Sequence, residues 1–214
     1  VMKYSPVTAD ITLVHDPAQW TRPIRAEDFP LEPVYSEPDP SCYELVDAVC
    51  AAFQGQRFLL GPFPTAPQWP PLGDMERSLV EMTENPELAD RALQSTLVQA
   101  AARQAHWRNP GIDGVLDGTD WAYKSGTFMS PKAWRRYCYP ALRANVLAAH
   151  KAGLRFTQHA CGNNWAILEG FIEAGVDCYQ SIQGTAEMDL GRVRQAVNGR
   201  MALWGGVPVE LLVD

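Results

Sequence analysis

Strand-like runs alternate with helical patterns through most of the chain, and this alternation limits the possible fold more than any other feature. Five short runs rich in β-branched, aromatic and leucine residues each follow a helical pattern and a turn, at residues 58–63, 114–117, 154–159, 176–182 and 201–204. A sixth run near residues 11–14 is a possible further strand. Strands that alternate with helices are typical of βα units, whose strands form a parallel sheet. The sequence therefore predicts an α/β fold.

Serial βα units build either an open doubly wound sheet or a closed (β/α)8 barrel. A dinucleotide-binding open sheet would have G-x-G-x-x-G after a strand, and the chain has no such motif. We therefore predict a TIM barrel. Because a full barrel takes about 250 residues, this chain of 214 residues is expected to be an incomplete one. The expected domain is single, with a proline-rich, irregular part over residues 1–56 and regular βα units over 57–214.

Capping residues indicate where the helices begin. Ser130 and Asn85 each precede a proline, which predicts a helix start at both positions. Pro140 is expected to kink or split the helix that follows Ser130. Ser41 predicts a third start, and the apolar stripe of that helix should cover the sheet. The stripe consists of Leu45, Val49, Ala52 and Phe53.

Composition argues against several classes of protein. The net charge of -7 and the pI near 5.1 leave no basic field that would gather nucleic-acid phosphates. Five cysteines without paired spacing indicate free thiols or metal ligands in a reducing compartment. No apolar run is long enough to span a bilayer. We expect a cytoplasmic protein that binds neither nucleic acid nor membrane.

The most informative strand leads into a candidate site. In a barrel the active site lies at the carboxyl ends of the strands. Alternation along residues 154–161 divides the side chains between two faces. One face carries Arg155, Thr157, His159 and Cys161, and the other carries Leu154, Phe156 and Ala160. The polar face is expected to point into the barrel, where polar groups need a partner, a ligand or a metal.

His159 and Cys161 are the donors that suit zinc. A histidine and a cysteine two residues apart on a strand bring an imidazole and a thiolate to the same side. A hydrogen-bonded core histidine beside a small buried cysteine explains the same pattern. Catalytic zinc normally has three protein ligands, so the pair alone leaves one ligand unassigned.

Residues at other strand ends are further candidates. Asp117 and Asp120 follow a strand, where carboxylates can act as catalytic groups that orient substrate or contact the metal shell. Ordinary turn and cap chemistry explains this pair equally well. Four residues at the ends of the last two strands are predicted to contact substrate, and a packed strand end is the alternative for the last two. They are Gln180, Gln183, Trp204 and Gly205.

Segments with these residues resemble the uroporphyrinogen decarboxylase superfamily, and especially its corrinoid-linked methyltransferases. The segments are Asp117-Gly-Thr-Asp-Trp with Ser130-Pro-Lys-Ala-Trp, His159-Ala-Cys-Gly, Glu173-Ala-Gly-Val-Asp177 with Ser181-Ile-Gln183, and Trp204-Gly-Gly-Val. Gly61-Pro-Phe and Asn85-Pro-Glu fit an earlier part of the same family. The resemblance covers about residues 57–214.

The resemblance implies a zinc enzyme. Methyltransferases of this superfamily hold zinc through a His-x-Cys pair and a later cysteine near the end of the last strand. His159 and Cys161 match the pair, and the third ligand is expected outside this chain. The implied reaction transfers a methyl group between a corrinoid (cobalamin) carried by a partner protein and a thiol or other small acceptor. Zinc would stabilise the acceptor as thiolate.

Two alternatives stay open. The first is uroporphyrinogen decarboxylase itself, an enzyme of porphyrin biosynthesis that needs a strongly basic pocket and no metal. Arg155 and Lys124 offer little of that basic character. The second is a non-catalytic barrel fragment that binds a partner protein. The His-x-Cys-Gly segment favours the methyltransferase over both.

Overall fold

The computed structural model describes residues 2–5, 10–13 and 23–208, and a parallel sheet forms the centre of this part. The strands are β1 (Met2–Ser5), β2 (Asp10–Leu13), β3 (Gly114–Gly118), β4 (Ala122–Tyr123), β5 (Gly126–Thr127), β6 (Arg155–His159), β7 (Cys178–Gln180) and β8 (Ala202–Trp204). The parallel sheet has the order β3-β6-β7-β8, so each strand lies beside the next one along the chain. The predicted α/β fold with a parallel sheet is confirmed.

Helices connect and cover these strands. They are α1 (Glu44–Phe53), α2 (Met75–Glu84), α3 (Pro86–His106), α4 (Pro131–Tyr137), α5 (Tyr139–Lys151), α6 (Leu168–Ala174) and α7 (Leu190–Val197). Within the described ranges, none of them has both the length and the apolar character needed to cross a bilayer.

Two predicted strands differ from the observed ones. The run at 58–63 makes only a single parallel bridge, between Leu60 and Gly114. Pro62 and Pro64 have no backbone N–H to donate, which explains why the pairing does not extend further. The run at 11–14 lies partly in β2, which pairs with β1 in a separate antiparallel sheet and is not part of the parallel one. Residue 14 lies outside the described ranges.

The helix starts predicted after residue 80 are confirmed. Ser130 Oγ accepts a hydrogen bond from the Ala133 N–H at 3.2 Å, at the start of α4. The helix is split at Cys138, just before Pro140, into α4 and α5. Helix α3 begins at Pro86, as the Asn85-Pro86 pair predicted.

The prediction for Ser41 is wrong. Its N–H donates to the Asp39 carboxylate at 2.9 Å, and Asp39 caps a 3-10 turn over Pro40–Tyr43. Helix α1 begins only after that turn, at Glu44. Asp39 offers a carboxylate acceptor in front of a proline, and this is a stronger start signal than the serine two residues later.

The predicted apolar stripe of α1 does not cover the sheet. Leu45 is 77% exposed, Val49 38% and Phe53 47%, and Ala52 is exposed as well. Cys50 is instead the buried residue of this helix, and Val46 packs against the core one turn earlier. Helix α1 has apolar residues on both of these faces, and only its tertiary contacts decide which face is buried.

The two faces of the parallel sheet have different environments. Val115, Phe156 and Tyr179 are buried on the side that packs into the main hydrophobic core. Leu116, paired with Thr157 in the register, lies on the other side and is exposed. Because side chains alternate along each strand, every second residue from Thr157 onward, including His159, shares this second side.

An aromatic cluster fills the core beneath the sheet. Phe171 of α6 lies with its ring centroid 5.5 Å from Trp121, 6.0 Å from Trp134 and 5.4 Å from Tyr179. All four side chains are fully or almost fully buried. Gly170 lets α6 approach closely, because a Cβ at this position would lie 2.5 Å from the Trp134 ring. This cluster fixes α6 against the loop that follows β3.

Asp177 joins the amino ends of β6 and β7. Its carboxylate accepts hydrogen bonds from the Phe156 N–H at 2.8 Å and from Arg155 at 2.9 Å, and it lies 2.7 Å from His150 Nε2. Burial by itself raises the pKa of this carboxyl, but the bonds from Phe156, His150 and Arg155 outweigh that effect and hold the pKa below its ordinary value.

Because of these contacts, the free energy of unfolding should depend on pH in the acid range. Since the folded-state pKa of Asp177 lies below the unfolded value of about 3.9, its contribution is fully present above pH of about 4 and is lost as pH falls through the folded pKa. Asp177→Asn should therefore destabilise the protein at pH 7, and the difference from wild type should shrink by pH 3, as urea unfolding at several pH values would show. Glu169→Gln, which breaks an exposed pair with Arg200, should change the free energy of unfolding little at any of these pH values. An Asp177→Asn difference that does not vary with pH would contradict this assignment.

Candidate metal centre

His159 and Cys161 meet at the carboxyl end of β6. His159 is the last residue of this strand and pairs with Gly118 of β3 on one side and Gln180 of β7 on the other. Cys161 follows two residues later, and its Sγ lies 3.4 Å from His159 Nε2. The two donors lie on one side, as predicted, although β6 ends at His159 and Cys161 lies in the loop that follows it. All five cysteines lie within residues 23–208 and are free, as predicted.

Asp120 brings a third donor to the same place. It follows β3, the neighbouring strand, and its Oδ1 lies 3.6 Å from His159 Nε2. The same oxygen accepts a hydrogen bond from the Cys161 N–H at 2.7 Å. The donor atoms of Asp120, His159 and Cys161 all lie within 4.8 Å of one another. The sequence predicted Asp120 as a catalytic residue near the metal shell, whereas the geometry offers it as a ligand inside this chain.

The donor set fits zinc. Bonds of about 2.05 Å to nitrogen and 2.3 Å to sulfur at a tetrahedral angle place the two donor atoms about 3.6 Å apart. The 3.4 Å between His159 Nε2 and Cys161 Sγ agrees with this value. One nitrogen, one sulfur and one carboxylate oxygen also make three protein ligands, which leaves a fourth position for a substrate or water.

Gln180 fixes the orientation of His159. Its Oε1 forms a hydrogen bond with His159 Nδ1 across the β6-β7 pair. Because an amide oxygen can only accept, Nδ1 carries the proton and the Nε2 lone pair is free for a metal. Gln180 was predicted to contact substrate, and its place beside the metal-binding histidine adds a positioning role.

Gln180→Ala should weaken zinc binding by about 10- to 100-fold, because the imidazole loses the acceptor that fixes its tautomer and orientation. Competition with a chromophoric chelator would measure the change. Gln180→Glu, which retains an acceptor oxygen, should stay within a few-fold of wild type. Equal zinc affinity for Gln180→Ala and wild type would show that this contact does not position the ligand.

Ser181 is a site residue that the sequence did not single out. Its Oγ lies 3.1 Å from Cys161 Sγ. Its φ of 100° is in the left-handed region, which a serine rarely adopts, and such strain is often found at functional sites. The Ser181-Ile-Gln183 segment marked this position in the resemblance but gave no role to the hydroxyl.

A cavity of about 320 Å³ lies next to Cys161, between the loops that follow β7 and β8. Gln183 and Gly205, two of the predicted substrate contacts, line it together with Gln180. Gln183 Oε1 also accepts a hydrogen bond from the Gly162 N–H at 3.0 Å. Trp204 pairs with Gln180 in the sheet register and is half exposed, but it is not part of the cavity wall.

Asp117 lies away from the three donors. It pairs with Gln158 in the register, one residue before His159, so its side chain is on the opposite face of the sheet. Its carboxylate accepts hydrogen bonds from Gln68 at 2.8 Å and Asn145 at 3.3 Å, and burial raises its pKa. This environment ties the loop after Leu60 to α5. The structure therefore does not bring Asp117 to the site with Asp120.

A parallel sheet with donor side chains converging at its carboxyl ends is the arrangement found in α/β enzymes. The chain belongs to the uroporphyrinogen decarboxylase (URO-D) family, whose model matches residues 41–213. The match begins earlier than residue 57, where the resemblance in the sequence was expected to start. Members of this family are enzymes.

The similarity to individual proteins is weaker than the match to the family model. Among solved structures, a methyltransferase from Methanosarcina mazei matches with a TM-score of 0.46 and 18% identity over 60% of this chain. The match covers 36% of that methyltransferase, so this chain spans little more than a third of its length. No curated protein matches the chain.

Proposed function

We propose that this chain provides the zinc site of an enzyme that transfers a methyl group between a corrinoid protein and a small thiol. The observation that carries this proposal is the convergence of Asp120, His159 and Cys161 at the carboxyl edge of the sheet. An ion held there by three protein ligands would keep a fourth position for a substrate, and a cavity lies next to Cys161, one of the three.

The side chains of this chain prepare the site for thiol chemistry. Bound zinc would lower the pKa of a coordinated thiol, so that a thiolate nucleophile exists at neutral pH. Gln180 holds His159 in the ligating tautomer, and Ser181 is placed to donate a hydrogen bond to the Cys161 sulfur. A methylcorrinoid on the partner protein would supply the methyl carbon to the acceptor thiolate and would keep the electron pair of the broken cobalt-carbon bond.

The same proposal includes a (β/α)8 barrel as the complete fold and the cytoplasm as the location. The strand order β3-β6-β7-β8, with Leu60 beside β3, is the order in which a (β/α)8 barrel arranges consecutive strands. We propose that residues 1–214 form one part of such a barrel. We further propose a cytoplasmic enzyme whose partner protein carries the methylcorrinoid.

The alternative, decarboxylation of a porphyrinogen, has less support from the charges. Such a substrate carries many carboxylates and calls for cationic side chains around it. Arg155 lies at the amino end of β6, four residues from His159, and is paired with Asp177. The described residues that line the cavity beside Cys161 include no cationic side chain.

The test is methyl transfer by the zinc-loaded protein from methylcobalamin to 2-mercaptoethanol, followed by the loss of methylcobalamin absorbance. We expect transfer above the rate of free zinc, and a loss of that excess in Cys161→Ala. Cys42→Ala removes an exposed cysteine far along the chain from the site and should keep the wild-type rate. If the zinc-loaded protein does not exceed free zinc, the proposed function is wrong.

A further inference from the structure

The described residues that line the cavity beside Cys161 include no lysine, arginine, histidine, aspartate or glutamate. Apart from the Cys161 sulfur, which would bind the metal as a thiolate, the polar lining consists of neutral amide and hydroxyl side chains, namely Gln180, Ser181, Gln183 and Thr185. The remaining described lining residues are glycine, proline or aliphatic. Amide and hydroxyl groups can both donate and accept hydrogen bonds, but they offer no countercharge to an ionised ligand.

Among the three metal donors, Asp120 carries a negative charge close to the cavity wall formed by Cys161. Asp120 lies beside His159 and Cys161, and its side chain is about half exposed. Two like charges at such separations repel each other, and the repulsion grows as water is removed from between them. A divalent ion held by Asp120, His159 and Cys161 would balance the carboxylate and the thiolate, so a ligand that binds through its own thiolate would find no positive charge left for a carboxylate or sulfonate.

Three arginines in the part of the chain from β6 to β8 have partners outside the cavity. Arg200 pairs with Glu169 at 2.6 Å, and Arg192 lies over the ring of Trp165 at 5.1 Å. Arg155 forms its pair with Asp177 at the opposite end of β6. None of these three is among the residues that line the cavity.

The cavity is also small. Its volume of about 320 Å³ is at the lower end for ligand sites, which hold about 300–1,000 Å³. Gly205, with a φ of 132°, brings its backbone so close to Ser181 that a Cβ would lie 3.2 Å from the Ser181 carbonyl carbon. The loop after β8 therefore forms one wall of the cavity.

We propose that the methyl acceptor of this site is a small uncharged thiol, whose sulfur reaches the metal and whose hydroxyl or amide group bonds to Gln183 and Thr185. This inference rests on the proposed function, because it assigns the substrate class of the same site. The selection comes from charge: a neutral cavity next to Asp120 accepts a neutral thiol and disfavours an anionic one.

The experiment uses the whole chain loaded with Co²⁺, whose absorption reports thiolate binding at a site built for zinc. Three thiols of similar size are titrated: 2-mercaptoethanol, mercaptoacetate and 2-mercaptoethanesulfonate, with each Kd corrected for the ionisation of the free thiol. We expect 2-mercaptoethanol to bind on the order of tenfold more tightly than either anion. Equal or tighter binding of an anionic thiol overturns the inference but leaves the proposed function standing.

A charge added to the cavity wall gives the matched test. Thr185 is exposed and lies in a 3-10 turn, so Thr185→Lys does not disturb the core. This variant should bind mercaptoacetate about tenfold more tightly than wild type, whereas Thr185→Gln, of similar length but neutral, should not. If no thiol changes the Co²⁺ spectrum of any variant, the proposed function and this inference both fail.

Discussion

Cys161→Ala and His159→Ala should each reduce bound zinc from about one per chain to a small fraction of that value. Each change removes one of three donors that lie within 4.8 Å of one another, and two remaining donors hold zinc weakly. Metal analysis of protein dialysed against a weak chelator would measure the loss. Cys42→Ala and His106→Ala remove the same residue types elsewhere and should retain full zinc.

Asp120→Asn tests whether the third zinc ligand is Asp120 or a residue outside this chain. If Asp120 is the ligand, loss of its charged oxygen should weaken zinc binding by at least about tenfold, as removal of supporting groups around a metal commonly does. If the third ligand lies outside this chain, as the resemblance implied, Asp120→Asn should keep wild-type affinity in a protein that contains the missing segment. Full zinc occupancy in both Cys161→Ala and His159→Ala would overturn the metal site altogether.

Phe171→Ala should be the most destabilising single change in the core, at about 3–5 kcal/mol. The ring is 0% exposed and contacts Trp121, Trp134 and Tyr179, so its removal leaves a cavity between aromatic side chains that cannot collapse easily. Urea unfolding followed by tryptophan fluorescence would report the free energy of unfolding.

Phe58→Ala is the matched control for this change. It removes the same ring from a position that is 62% exposed, so its effect should stay within about 0.5 kcal/mol. A loss of under about 1 kcal/mol for Phe171→Ala would show that the cluster is not the packing centre inferred here.

The sequence predicted those features that depend on residues close together along the chain. The period-two pattern of residues 154–161 predicted that His159 and Cys161 share a side, and the two donors do so although the strand ends at His159. Ser130 and Pro140 predicted the start and the division of a helix, since capping and the missing proline N–H act within a few residues. The alternation of strands and helices likewise predicted the parallel sheet.

Other features depended on contacts between distant segments. From sequence alone Asp117 and Asp120 were equal candidates, but the register of β3 against β6 placed only Asp120 beside His159. The stripe of α1 was visible, but the packing of Val46 and Cys50 turned it outward. Neither outcome can be read from spacing, because each is set by the partner that lies across the fold.

The sequence by itself determined the α/β fold, the main helix starts and the His159–Cys161 pair, because backbone geometry and capping are properties of neighbouring residues. Only the tertiary structure decided that Asp120 completes the donor group, that Gln180 orients the histidine and that a neutral cavity lies beside the thiolate. These residues are 21 to 41 positions apart from their partners along the chain. Strand pairing brings them together, and no local pattern specifies it.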